Sequence, residues 1–211
     1  MTATDLAHYI RIYDDDLQVP LCRQMIQSFE TLPRFQNRAG RGLRAGLEDS
    51  AWTELNVTQL SDANFGLMFR MRIDAAFERY NRDVGLDIPL PNSGSHADLV
   101  MKRYDPASPG AEDRFQLHWD SIHHLANRYL VILWYLNDVA EGGETHFPRL
   151  GISVAPRTGR LLMFPPYWMY QHEGLPPRSG AKYIASTYLL FTPQAPRAQG
   201  STDPPAATQT S

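Results

Sequence analysis

The stretch Tyr-Leu-Val-Ile-Leu-Trp-Tyr-Leu at residues 129–136 decides the fold of this 211-residue chain. Every residue in it is apolar or aromatic, as expected of a strand that is buried on both faces of its sheet. Other short apolar segments, separated by Gly, Pro and Asn-Asp, lie at residues 99–104, 115–120, 152–155, 160–164 and 182–191. Short strands with such spacing are typical of antiparallel β folds, and a double-sheet jelly roll accounts for their order.

The first third of the chain has a helical pattern instead. Apolar residues recur at helical spacing between Pro20 and Pro33, which predicts a helix there. A second, longer helix is predicted to follow Ser61 or Asp62 as N-cap and to end near Gly85. We therefore expect a mainly β protein with flanking helices, in which a double-stranded β-helix core is supported by N-terminal helices.

Length and composition suit a single domain. We expect residues 1–97 to form a helical support region of the same domain as the jelly-roll core, residues 98–191. Residues 192–211 are rich in Pro, Ala, Gln, Thr and Ser and have no apolar periodicity, which predicts a disordered tail. The pattern leaves the oligomeric state open.

Charge and cysteine content narrow the class of partner. A formal net charge of -3 and a pI of about 6.1 argue against nucleic-acid and membrane partners. The single cysteine, Cys22, excludes an internal disulfide and any zinc cluster built from this chain's thiolates alone. The first residues lack the basic and apolar regions of a signal peptide, so we expect a cytoplasmic protein.

Three residues form a candidate metal site. His118 and Asp120 lie two residues apart in a predicted strand, so their side chains point to the same side. His172, further along the chain, is available as a third ligand. Two histidines and one carboxylate on one face of an octahedron leave three positions open, as in non-haem Fe(II) oxygenases. A bidentate 2-oxo acid and O2 would take these positions.

Lys182 is the candidate anchor for such an acid. It follows His172 across a turn that contains Pro176, Pro177 and Gly180, which would place its ammonium beside the metal. There it can pair with the distal carboxylate of a dicarboxylate. A solvated surface lysine is the alternative, but Lys182 begins a strongly apolar strand, where a solvated cation is less natural.

Two other histidines, His123 and His124, directly follow the His118 motif. Because they lie past the predicted strand, metal binding by either would require a sharp return of the chain. We do not expect them to be ligands.

Six blocks of sequence carry a resemblance to a known family: KRYDP, LHWD, YLND, GGETHFP, RTGRLLMFPP and HEGLPPRSGAKYIAST. In order and spacing they resemble the catalytic domain of the prolyl 4-hydroxylase-like branch of the iron(II)/2-oxoglutarate-dependent dioxygenases. The resemblance implies that His118, Asp120 and His172 bind Fe(II) and that Lys182 anchors 2-oxoglutarate.

The resemblance also implies roles for three more residues. Tyr104 and Thr145 would line the 2-oxoglutarate pocket, and Arg128, a basic residue before the central strand, would face the substrate. The chain departs from the family at His146, where an apolar or hydroxylated residue is usual. It also has tyrosines, at 183 and 188, where animal relatives often carry tryptophan. These departures concern the substrate pocket and leave the metal and cosubstrate residues in place.

The function that the resemblance implies is hydroxylation of an unactivated C–H bond with Fe(II), 2-oxoglutarate and O2, and with ascorbate as a further family expectation. The substrate would be a peptidyl prolyl residue, or a free amino acid or small metabolite. Two alternatives from other classes stay open. One is a non-catalytic jelly-roll binding module, which predicts loss of a ligand or of the lysine. The other is a facial-triad enzyme that uses a different metal.

Overall fold

The computed structural model describes residues 5–40, 47–108 and 111–191. Its strands are β1 (Arg11–Tyr13), β2 (Asn37–Gly40), β3 (Ala51–Asn56), β4 (Val100–Tyr104), β5 (Phe115–His118), β6 (Arg128–Tyr135), β7 (Thr145–Phe147), β8 (Ile152–Val154), β9 (Leu161–Phe164), β10 (His172–Gly174) and β11 (Lys182–Leu190). They form a seven-stranded sheet in the order β1-β9-β6-β11-β4-β3-β2 and a four-stranded sheet in the order β5-β10-β7-β8. All the strand pairs are antiparallel, and the two sheets form a jelly roll.

Strand β6 lies between β9 and β11 in the larger sheet, and both of its faces are buried. Ile132 and Trp134 pack in the core on one side of this sheet, whereas Val131 and Tyr135 pack in the core on the other side. The sequence prediction of a doubly buried strand is therefore confirmed, and its apolar character on both faces is what places it at the centre.

The helices are α1 (Val19–Thr31), α2 (Val57–Leu60) and α3 (Ala63–Val84). Helix α1 begins with Pro in its first turn, as predicted. The side chain of Asp62 caps α3 by accepting a hydrogen bond from Phe65 N at 2.8 Å. Gly85 ends α3 with a φ of 62°, a conformation that glycine adopts at low cost.

The apolar sides of α1 and α3 cover one face of the seven-stranded sheet. Phe29 of α1 and Phe69 of α3 are buried in the same core as Trp134, and the Phe69 and Trp134 rings meet edge to face. The opposite face of the same sheet packs on the four-stranded sheet through a second core that includes Phe147 and Phe164. Because the helices cover one face of the larger sheet and the smaller sheet covers the other, a buried site can form between the two sheets.

Several strands were not predicted from the sequence. Strands β1, β2 and β3 come from the region predicted as helical support, and β7 and β10 have only three residues each. The strand predicted at 115–120 ends at His118, because the backbone N–H groups of Asp120 and Ser121 both donate to Pro166 O at 3.0 Å. Asp120 therefore lies in the loop after β5, outside the ladder of hydrogen bonds.

The tail predicted as disordered, residues 192–211, lies outside the described residues. Within the part of the chain that the structure describes, no helix combines the length and the apolarity needed to cross a membrane.

Candidate metal and 2-oxoglutarate site

The two candidate histidine ligands face each other across a pair of strands in the smaller sheet. His118, the last residue of β5, is the register partner of His172, the first residue of β10. Their ring centroids are 4.3 Å apart. Pairing of the two strands brings together two residues that are far apart in the sequence.

Backbone carbonyls orient both imidazole rings. His118 Nδ1 lies 2.7 Å from Gln116 O, and His172 Nδ1 lies 3.0 Å from Tyr170 O. A carbonyl oxygen can only accept, so each Nδ1 carries a proton, and Nε2 is the nitrogen that is left to bind a metal. This is the tautomer that metal-binding histidines adopt when a second group holds the other ring nitrogen.

Asp120 completes the group from the loop after β5. Its Oδ1 is 3.6 Å from His118 Nε2, and its Oδ2 is 3.5 Å from His172 Nε2. One ligand atom from each of the three residues lies within 4.8 Å of the other two. Asp120 Oδ2 is buried and has no hydrogen-bond partner within the described chain, which is costly for a carboxylate oxygen. A cation held by these three residues would satisfy it.

The protonation states of this group also suit a metal. Burial disfavours the charged form of Asp120, but interactions with the neighbouring His118 and with Arg128 outweigh it and hold the pKa of this carboxyl well below its usual range. Burial and the neighbouring His118 lower the pKa of His172 to about 4, so the ring is neutral at physiological pH. An ionised carboxylate and a neutral imidazole are the forms that bind divalent metals.

Lys182 lies on the larger sheet and is buried. It is the first residue of β11 and the register partner of Tyr104 on β4. Its Nζ donates to Gly143 O at 2.9 Å and lies 4.5 Å from the centre of the Tyr104 ring. Burial lowers the pKa of Lys182 to about 7, although Glu144 partly opposes this change. Gly174 leaves room beside the ammonium, because a Cβ at that position would lie 3.5 Å from Lys182 Nζ.

One cavity connects Lys182 to the metal-binding group. Its walls contain all the residues predicted for metal and cosubstrate: Tyr104, His118, Asp120, Thr145, His172 and Lys182. Apolar side chains of the larger sheet, among them Val131, Leu133 and Ile184, line the rest of it. A wider, more open depression beside β5 is lined by acidic residues such as Glu48 and Glu112 and contains none of the six.

Thr145 belongs to a buried hydroxyl pair that sequence reasoning did not identify. Its Oγ1 accepts a hydrogen bond from Tyr135 OH at 2.6 Å, and Tyr135 OH also lies 3.3 Å from Val154 O. The sequence placed Tyr135 only among the aromatic residues of the strand. Nothing in the pattern of β6 shows that this tyrosine would orient the threonine on the facing sheet.

Arg128 lies beside Asp120 and stacks on Tyr188. Its guanidinium carbon is 3.6 Å from the centre of the Tyr188 ring, and its Nη1 donates to Asp120 O at 3.4 Å. Tyr188 OH donates to Asp120 Oδ1 at 3.0 Å. The sequence identified Tyr188 only as a departure from the family, at a position where animal relatives often carry tryptophan. That Arg128 faces the substrate stays a prediction.

The remaining histidines of this region lie apart from the group of three. His123 and His124 are exposed in a short turn of 3-10 helix after Asp120. His146 is on β7, with its Nδ1 2.9 Å from Ser153 Oγ. None of these three belongs to the group whose ligand atoms converge.

Two histidines and one carboxylate converge inside a jelly roll, next to a buried lysine, and this is the ligand arrangement of a facial-triad metal site. Residues 100–190 match the model of the 2OG-Fe(II) oxygenase superfamily. This part of the chain is therefore similar to the domain of that superfamily, whose members are dioxygenases that use Fe(II), 2-oxoglutarate and O2.

A curated relative and two solved structures are similar to this chain. The relative is a putative prolyl 4-hydroxylase of Acanthamoeba polyphaga mimivirus, 36% identical over 122 residues, which are 49% of this chain and 47% of that protein. The chain therefore spans about half the length of this relative.

Both solved structures share the fold at low sequence identity. One is the viral collagen prolyl hydroxylase of Paramecium Bursaria Chlorella virus-1 in complex with 2OG, with a TM-score of 0.55, 20% identity, and coverage of 85% of this chain and 94% of that one. The other is a Trichoplax adhaerens prolyl hydroxylase in complex with a hypoxia inducible factor peptide fragment. It has a TM-score of 0.66, 14% identity, and coverage of 87% and 84%.

Proposed function

We propose that this chain is an Fe(II)- and 2-oxoglutarate-dependent dioxygenase that hydroxylates an unactivated C–H bond. The observation that carries the proposal is the buried Asp120 Oδ2, which has no hydrogen-bond partner in the described part of the chain. It lies 3.5 Å from His172 Nε2, in a cavity shared with the buried Lys182. A metal ion would satisfy the carboxylate, and a dicarboxylate would satisfy the ammonium.

The residues of the site would have two roles, metal binding and 2-oxoglutarate binding. His118, Asp120 and His172 would hold Fe(II) on one side and leave the other positions open. Lys182 would bind the distal carboxylate of 2-oxoglutarate through a charge-assisted hydrogen bond, with Tyr104 and Thr145 beside it. Bound iron and 2-oxoglutarate would supply the oxidation of substrate by O2, with succinate and carbon dioxide as the other products. The apolar wall would exclude water from that reaction.

For the substrate, we propose a prolyl residue in a peptide, which the name of the viral relative and the peptide complex of the Trichoplax enzyme support by similarity. A free amino acid or a small metabolite is the second candidate. Arg128, beside Asp120 on the edge of the site, would face either substrate. Ascorbate as a reductant and a cytoplasmic location are parts of the same proposal. A compartment that keeps iron ferrous suits a chain whose single cysteine is a buried free thiol.

Spectroscopy without oxygen tests the metal and cosubstrate directly. Fe(II) and then 2-oxoglutarate are added to purified protein, and a metal-to-ligand charge-transfer band in the visible range is expected for a chelating 2-oxo acid. The alternatives give different results. A binding module would bind no metal, and an enzyme of another metal would bind metal without developing the band.

A matched pair of aspartate variants locates the site. Asp120→Ala is expected to abolish both the band and 2-oxoglutarate turnover while the far-UV circular dichroism stays unchanged. The control is Asp87→Ala, because Asp87 is exposed and remote from the cavity. Retained turnover in Asp120→Ala would rule out the assigned site. Succinate release with proline-containing peptides, compared with free amino acids, then distinguishes the two substrate classes.

A further inference from the structure

We propose that Tyr188 is a positioning residue for the metal, which acts by holding Asp120 so that Oδ2 alone is presented as the ligand. This inference rests on the proposed function, because it concerns the metal held by the same triad. Tyr188 lies on β11 of the larger sheet, whereas the two histidine ligands lie on the smaller sheet. The tyrosine therefore reaches the metal-binding group from the opposite layer.

The two oxygens of the Asp120 carboxylate have different surroundings. Oδ1 lies 3.6 Å from His118 Nε2 and 4.0 Å from Arg128 Nη1, but it already accepts the Tyr188 hydroxyl at 3.0 Å. Oδ2 is buried, has no hydrogen-bond partner among the described residues and lies 3.5 Å from His172 Nε2. A carboxylate on a single rotatable bond can present either oxygen or both to a metal. The hydrogen bond to one oxygen removes that freedom and selects the other.

Arg128 holds the tyrosine ring in the orientation that this hydrogen bond needs. Its guanidinium carbon lies 3.6 Å from the centre of the Tyr188 ring, and its Nη1 also donates to the backbone carbonyl of Asp120 at 3.4 Å. Stacking on one residue and bonding to the other fixes Tyr188 and Asp120 relative to each other. A planar guanidinium can stack on the ring while one of its N–H groups donates to the carbonyl, whereas an ammonium has no plane to stack.

The hydroxyl of Tyr188 has a function that is separable from packing. Phenylalanine would fill the same wall of the cavity, so packing alone does not require the oxygen. A neutral O–H donor orients the carboxylate without neutralising its charge, and the charge is what attracts a divalent cation.

The test is metal affinity, measured without turnover. Apo wild type and Tyr188→Phe are titrated with Co(II), and both the dissociation constant and the visible absorption of the bound ion are recorded. Loss of a group that orients a metal ligand typically weakens binding by about 10- to 100-fold, and we expect a change in this range together with an altered Co(II) spectrum. Tyr183→Phe is the matched control, because it removes a hydroxyl from the same strand that bonds to Glu30 outside the cavity.

The outcomes separate this inference from the proposed function. Wild-type affinity and spectrum in Tyr188→Phe would overturn the inference while leaving the proposed function intact. Failure of the wild type to bind Co(II) would overturn both. If Tyr188→Phe does not fold, Arg128→Lys is titrated instead. It keeps the charge but loses the stack, so weaker binding with an altered spectrum supports the inference and unchanged binding overturns it.

Discussion

Replacing Lys182 by methionine is expected to stabilise the ligand-free protein while destroying its affinity for 2-oxoglutarate. The Lys182 ammonium is buried, and its hydrogen-bond partner among the described residues is a neutral carbonyl, Gly143 O. Methionine has a similar length and no charge to desolvate. The substitution therefore removes the cost of burying a charge in the ligand-free protein. It also removes the cation that would bind 2-oxoglutarate.

The size of the effect follows from the pKa of Lys182. Burial lowers this pKa from 10.5 to about 7, with Lys102 lowering it further and Glu144 opposing the change. Burying the protonated amine therefore costs ~5 kcal/mol at pH values below 7. Methionine leaves Gly143 O without its donor, at a cost of about 1 kcal/mol. The net gain in the free energy of unfolding is expected to be ~3–4 kcal/mol near neutral or slightly acid pH.

The sign of the pH dependence is fixed by the direction of this change. Because the pKa is lower in the folded than in the unfolded chain, the destabilisation by lysine is complete below about pH 7 and decreases as the pH rises toward 10.5. The advantage of methionine should therefore shrink to about 1 kcal/mol near pH 9.

Urea unfolding of the apo proteins at the two pH values measures this difference. A companion thermal-shift series with metal and 2-oxoglutarate should show ligand stabilisation of the wild type but not of Lys182→Met. A variant that is less stable than wild type at both pH values, or a difference that does not change with pH, would refute the reasoning.

Two further changes test the cavity and the fold. In Gly174→Ala the new Cβ would lie 3.5 Å from Lys182 Nζ, where a carboxylate oxygen must approach. The dissociation constant for 2-oxoglutarate, measured by calorimetry, should therefore rise about tenfold, or ~1.4 kcal/mol, with little loss of stability. Unchanged affinity would place the cosubstrate elsewhere. Asp62→Ala removes the cap of α3 and should lower the free energy of unfolding by ~1 kcal/mol without affecting metal binding. No loss on urea unfolding would mean that water replaces the cap.

The sequence predicted the elements whose periodicity extends over several turns or strand residues. Helices α1 and α3 and the central strand β6 each have a pattern long enough to be recognised, whereas the sequence left the cap of α3 open between Ser61 and Asp62. The three-residue strands β7 and β10 have no such pattern, because three residues are too few for an alternation to be distinguished from chance. Their existence depends on pairing with distant strands.

The candidate site, too, was predicted only in part. The convergence of His118, Asp120 and His172 was predicted from their types and from the resemblance, and the structure brings them together. The sequence predicted Asp120 inside the strand, but the strand ends at His118, and the backbone N–H of Asp120 donates to Pro166 O. The hydrogen bond from Tyr188 to Asp120 joins strand β11 to the loop after β5. A contact between a strand and a distant loop leaves no periodic signal in the sequence.

The groups that would bind the ligands are divided between the two layers of the sandwich. His118 and His172 belong to the short strands of the four-stranded sheet, whereas Lys182 belongs to the long strand β11 of the other sheet. A metal and a dicarboxylate bound together would act as a non-covalent cross-link between these layers. Separation of the two sheets would then require release of the metal and the dicarboxylate. Dissociation of the cofactors and opening of the core would therefore be coupled.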